Sequence, residues 1–135
     1  MEITRKACEK FRDYPISIIN FAEGTRFTRT KRDRQDSPFR NLLRPKAGGV
    51  GFVLSAMGEQ LSYILDITIK YPLRAPNFWD FLCGRVKRID VHVKKIPITP
   101  DLLGDYVMDE DYRIRFQEWL NERWREKDML LEGWM

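Results

Sequence analysis

The spacing of apolar residues along this chain changes period several times, and each change predicts an element. Over residues 1–13, Ile3, Ala7, Cys8 and Phe11 fall near helical spacing, and Asp13-Tyr14-Pro15 marks a stop. The β-branched run Ile16-Ser17-Ile18-Ile19-Asn20-Phe21 reads as a buried strand. Residues 22–46 show no period, and a connection that long tends to be functional or disordered. Residues 48–60 predict a helix through Val50, Phe52, Val53, Leu54, Ala56 and Met57, with early glycines blurring its start. Two alternating stretches then predict strands. Over 63–71, Leu65, Ile67 and Ile69 alternate with Asp66, Thr68 and Lys70, and over 86–93, Ile89, Val91 and Val93 alternate with Arg88, Asp90 and His92. Over 109–127, Tyr112, Phe116, Trp119, Leu120 and Trp124 recur at helical spacing. This alternation predicts an α/β fold, a mixed sheet flanked by helices, with 1–135 as a single domain.

Composition narrows the class. Hydrophobic residues at 43% and charged residues at 33% describe folded rather than disordered material. No apolar run approaches the length of a membrane span, and Glu2-Ile3-Thr4-Arg5-Lys6 has no signal-peptide core. Cys8 and Cys83 lack metal-type spacing and read as reduced packing residues, which implies a cytoplasmic setting. The net charge of +4 is unevenly placed. Between Arg26 and Lys46 stand eight basic residues against Asp33 and Asp36, a local +6, so an anionic partner would meet the chain there.

Just before that basic run lies Phe21-Ala22-Glu23-Gly24-Thr25-Arg26. Open α/β sheets bind ligands beyond the carboxyl ends of their strands, which is where these residues would fall. Gly24 allows close backbone approach, Thr25 offers a hydroxyl, and Arg26 offers a planar fork suited to phosphate. Glu23 can accept from a substrate hydroxyl or brace the arginine. The bland alternative is a solvated turn with a structural Glu–Arg pair.

The stretch "NFAEGTRFT", residues 20–28, resembles the third conserved block, Phe-Pro-Glu-Gly-Thr-Arg, of the glycerolipid acyltransferases, with Ala22 in place of the usual proline. The resemblance continues through "LLRPKAGGVGFVL" (42–54), "LDITIKYP" (65–72), where the fourth block would lie, "GRVKRIDVHVKKIPI" and "WLNERWREKDMLLE". It is closest to the lysophosphatidic acid acyltransferase branch and implies that Glu23, Gly24, Thr25 and Arg26 bind the glycerol phosphate of the acyl acceptor. Arg26 would take the phosphate, and Lys46 joins the substrate-binding set. The implied donor is an acyl-CoA or acyl-carrier-protein thioester, with no metal or other cofactor, at the cytoplasmic face of a membrane.

The catalytic element of that family, His-x-x-x-x-Asp, has no match here. His92 is the single histidine, and Pro97 stands five positions on. The chain therefore reads as the C-terminal part of an acyltransferase domain, inactive alone, with the catalytic block expected upstream. Lys46 with Ala47-Gly48-Gly49 also suggests backbone donors for an anion, although helix-packing glycines account better for the pattern.

The rival class is a non-catalytic module whose basic loop 26–46 binds anionic lipid or nucleic acid. Its basic run Arg29-Thr30-Lys31-Arg32-Asp33-Arg34 lacks interleaved aromatics for base stacking, so lipid headgroups are the expected partner and nucleic acid is not. Phe78, Trp79, Phe81 and Leu82, with Trp119, Trp124 and Trp134, read first as core and second as membrane-interface residues. If exposed, such a surface also implies self-association.

Overall fold

Register organises one part of the chain, and a long amphipathic helix the other. In this computed structural model, residues 14–72 and 75–133 are described. The helix expected over 1–13 lies outside them. The described elements are α1 (Arg29–Arg34), α2 (Ala47–Met57), β1 (Tyr63–Lys70), α3 (Phe78–Leu82), β2 (Asp90–Pro97) and α4 (Glu110–Gly133), with short 3-10 turns at Gly58–Gln60 and Pro100–Leu102. Helices and a two-stranded antiparallel sheet make this an α/β protein. Two compact units are distinguished, one formed by the chain up to Ser62 together with Ile98 onward, the other by Tyr63–Pro97.

In the Tyr63–Pro97 unit, β1 and β2 pair from Tyr63 opposite Pro97 to Lys70 opposite Asp90. Directly opposed residues share a face. Asp66 faces Lys94 and Lys70 faces Asp90, whereas Ile67 faces Val93 and Ile69 faces Val91. A one-residue slip would set apolar residues opposite polar ones and lose both the charge pairs and the apolar pairs. The second strand is displaced from the expected 86–93 to Asp90–Pro97. A strand extends only where it has a partner, and β1 stops at Lys70 ahead of Pro72, leaving 86–89 nothing to pair with.

In the larger unit, α4 buries Tyr112, Phe116 and Leu120, and α2 buries Ala47, Gly51, Leu54 and Met57. Each large apolar side chain so buried contributes about 1.5–3 kcal/mol. Tyr112 stacks on Phe116 at 5.7 Å between ring centroids, and its hydroxyl donates to Leu102 O at 2.7 Å. The aromatic stripe expected of the last helix is thus core at Tyr112, Phe116 and Leu120, with Trp119 and Trp124 half-buried.

Polar residues of α4 also fix the long connection. Asp128 accepts from Arg40 N and Asn41 N, both at 2.8 Å. Gln117 donates to Pro45 O at 3.1 Å and accepts from Ala47 N at 3.3 Å, where α2 begins. Residues 22–46, expected to lack periodic structure, include α1, whose N-cap Thr28 accepts from Lys31 N at 3.2 Å.

The segment 16–21 departs most from expectation. It is not paired into a sheet among the described residues, and Ile19 and Phe21 are 82% and 84% exposed rather than buried. Apolar composition favours a strand but supplies no partner, and the two paired strands lie elsewhere in the chain.

Candidate functional site

A tight turn presents residues 21–26. Gly24 N donates to Phe21 O at 2.8 Å, and Gly24 adopts φ +69°, a left-handed conformation that disfavours any residue with a Cβ. The turn is tied to the start of α2 through Lys46 N, which donates to Ala22 O at 2.7 Å. That bond carries the Lys46 side chain to the turn, and its Nζ lies 4.0 Å from where a Cβ on Gly24 would stand. Sequence spacing alone places Lys46 twenty-two positions from Gly24.

The four motif residues divide between two environments. Gly24, Thr25 and Arg26 are exposed. Glu23 is half-buried, and Trp124 Nε1 donates to its Oε1 at 3.1 Å. Burial raises the Glu23 pKa above the ordinary carboxylate value, opposed by hydrogen bonds from the Trp124 side chain and Leu43 backbone and by the charge of Lys127. Lys127, itself buried, lies over the Trp124 ring at 4.9 Å. Glu23 therefore meets α4, whereas Gly24, Thr25 and Arg26 face solvent.

Sequence reasoning missed Lys31. Its Nζ donates to Thr25 Oγ1 at 2.7 Å and to Arg26 O at 3.3 Å. The capped first turn of α1 brings it back six residues to the motif. The available signal was Thr28 as an N-cap, which starts a helix inside the basic run. Lys31, Lys46 and Arg26 thus place three cationic side chains at one exposed turn beside a hydroxyl, an arrangement suited to a phosphate monoester.

Much of the remaining basic loop is engaged internally. Arg32 Nη2 contacts Asp33 Oδ1 at 2.7 Å, and Arg32 Nη1 donates to Arg40 O at 3.3 Å. Arg44 donates twice to Asp36 O, at 3.0 and 2.6 Å, and Arg40 lies 3.7 Å from Glu132. His92 is exposed on β2 opposite Thr68.

Lysocardiolipin acyltransferase 1 of Danio rerio is 28% identical over 130 residues, covering 87% of this chain and 31% of its own. The 2-acyl-1-lysophosphatidylinositol acyltransferase of Saccharomyces cerevisiae is 27% identical over 137 residues, covering 88% and 33%. This chain is similar to these acyltransferases over most of its length. The 1-acyl-sn-glycerol-3-phosphate acyltransferase epsilon of Mus musculus is 23% identical over 137 residues, covering 87% of this chain and 35% of its own. The chain spans about a third of the length of these glycerolipid acyltransferases. No protein-family model matches it, and no solved structure does.

Proposed function

We propose that this chain is the acceptor-binding part of an acyltransferase that moves a fatty acyl group from a thioester to lysophosphatidic acid or a related glycerol phosphate in phospholipid synthesis. The observation that carries this reading is the convergence of Lys31 and Lys46 on Gly24 and Thr25 beside exposed Arg26. The turn is exposed at Gly24, Thr25 and Arg26, Lys31 braces the Thr25 hydroxyl and Arg26 O, and the cations supply charge-assisted bonds to a phosphate. Glu23 serves as a brace that ties the turn to Trp124.

In the complete enzyme, a base supplied outside this stretch takes the proton of the acceptor hydroxyl, whose oxygen attacks the thioester carbonyl and expels the thiolate. The donor is an acyl-CoA or acyl-carrier-protein thioester, and the site of action is the cytoplasmic face of a membrane. No helix among the described residues is long and apolar enough to cross that membrane.

Titration with glycerol 3-phosphate tests the acceptor site. Arg26→Ala should weaken binding by about tenfold or more, the scale of a lost charge-assisted hydrogen bond. Arg32→Ala should have little effect, because that guanidinium is held by Asp33 and Arg40 O. Equal losses at both positions would reject the localised site in favour of diffuse attraction by the basic loop.

A further inference from the structure

The Tyr63–Pro97 unit carries a surface that the acceptor site does not use. Helix α3 exposes Phe78 and Trp79 at 68%, Phe81 at 65% and Leu82 at 58%, and buries only Asp80. Local hydrogen bonding holds this arrangement. Asn77 Oδ1 accepts from Asp80 N at 2.8 Å, and Asp80 Oδ2 accepts from Asn77 N at 3.1 Å, a reciprocal capping box. Beyond Cys83, Gly84 adopts φ +65° and ends the helix, and Arg85 N donates to Asp80 O at 2.9 Å. The polar side chain is thus turned in and the four apolar ones are turned out, the reverse of a helix packed on its own core.

The charge beside this face selects its partner. Arg85, Lys87 and Arg88 follow Leu82 within six residues, and all three are exposed; Arg85 lies 3.7 Å from Asp80 Oδ1, and Arg88 Nε donates to Asp90 Oδ1 at 2.6 Å. Together with Asp80 they line a cleft of about 320 Å³ next to the helix. The whole stretch 63–97 holds seven basic residues against three acidic ones. Aromatic residues flanked by Lys and Arg suit the boundary between acyl chains and anionic headgroups.

We propose that α3 and Arg85-Val86-Lys87-Arg88 form an interfacial anchor for an anionic lipid surface. Phe78, Trp79, Phe81 and Leu82 enter the acyl boundary, Lys87 takes a lipid phosphate, and further phosphates compete with Asp80 for Arg85 and with Asp90 for Arg88. This goes beyond the acceptor-site reading and does not rest on it, and vesicles free of lysophospholipid keep the two separable.

The test is sedimentation of the full chain with vesicles of phosphatidylcholine alone and with added phosphatidylglycerol. The chain should pellet with the anionic vesicles, less so at high salt, and only weakly with the neutral ones. Trp79→Ser with Phe81→Ser should reduce partitioning about tenfold or more. Both positions are exposed and leave the capping box intact, so an unchanged far-UV circular dichroism spectrum is expected. As a second measurement, quenching of tryptophan fluorescence by brominated acyl chains should fall in Trp79→Phe while binding persists. Failure of the unsubstituted chain to bind, or full binding by the double variant, overturns the proposal. So does vesicle-free oligomerisation that the double variant abolishes, which would mark the face as a protein contact.

Discussion

Glu23 illustrates how a single side chain within a binding motif can belong to the packing. Burial dominates its environment and raises its pKa above the reference 4.5, against the opposing hydrogen bonds from Trp124 and Leu43 and the charge of Lys127. A carboxyl that holds its proton more tightly in the folded than in the unfolded state stabilises the fold most at low pH. That contribution is full below the unfolded value and is lost as pH rises through the raised folded value. Glu23→Gln keeps an oxygen for Trp124 Nε1 but cannot titrate. In thermal denaturation of both proteins, the stability of the unsubstituted chain relative to Glu23→Gln should therefore fall as pH rises through the interval above 4.5 and then level off. A relative stability that rises over this interval would show that the hydrogen bonds from Trp124 and Leu43 and the charge of Lys127 together outweigh burial.

Helix α2 makes a corresponding case at the level of an element. Its glycines do different things. A Cβ on Gly51 would run into the Tyr106 ring, whereas one on Gly48 would meet only the Tyr106 hydroxyl at 4.0 Å. Alanine in a helix gains about 1 kcal/mol over glycine, but overpacking a filled contact costs about 1–3 kcal/mol. Gly51→Ala should lower the thermal midpoint and Gly48→Ala should leave it unchanged or raise it; a rise in both would remove the close-packing role assigned to Gly51. Such contacts are not legible in a sequence, although α2, β1 and α4 themselves were, because their apolar periods persist over eight residues or more. The short helices α1 and α3 are held by Thr28 and by the Asn77–Asp80 box, so periodicity missed them where capping chemistry could have found them. Composition at 16–21 proposed a strand without supplying its partner. In the candidate site, the Glu-Gly-Thr-Arg residues were legible as a motif, but the approach of Lys31 depended on α1 and the inward turn of Glu23 on Trp124, 101 residues away in sequence.

For the molecule as a whole, the decisive question is whether acceptor binding and acyl transfer separate. The described site offers cations, a hydroxyl and a half-buried carboxylate fixed by Trp124, a set that can hold a phosphate but places no base beside an attacking hydroxyl. General-base catalysis needs a group within hydrogen-bond reach of the proton it removes, with a pKa near the working pH. The lone histidine, His92, belongs to the Tyr63–Pro97 unit, opposite Thr68, and no aspartate stands five positions after it. We therefore expect this chain to bind glycerol 3-phosphate yet to release no thiol from an acyl thioester in the presence of lysophosphatidic acid. Thiol release should remain at the rate of the protein-free reaction across neutral pH. Turnover abolished by His92→Ala would assign His92 the part of the base and overturn the division of labour proposed for this chain. Turnover that survived His92→Ala would also overturn it and would require a base other than histidine.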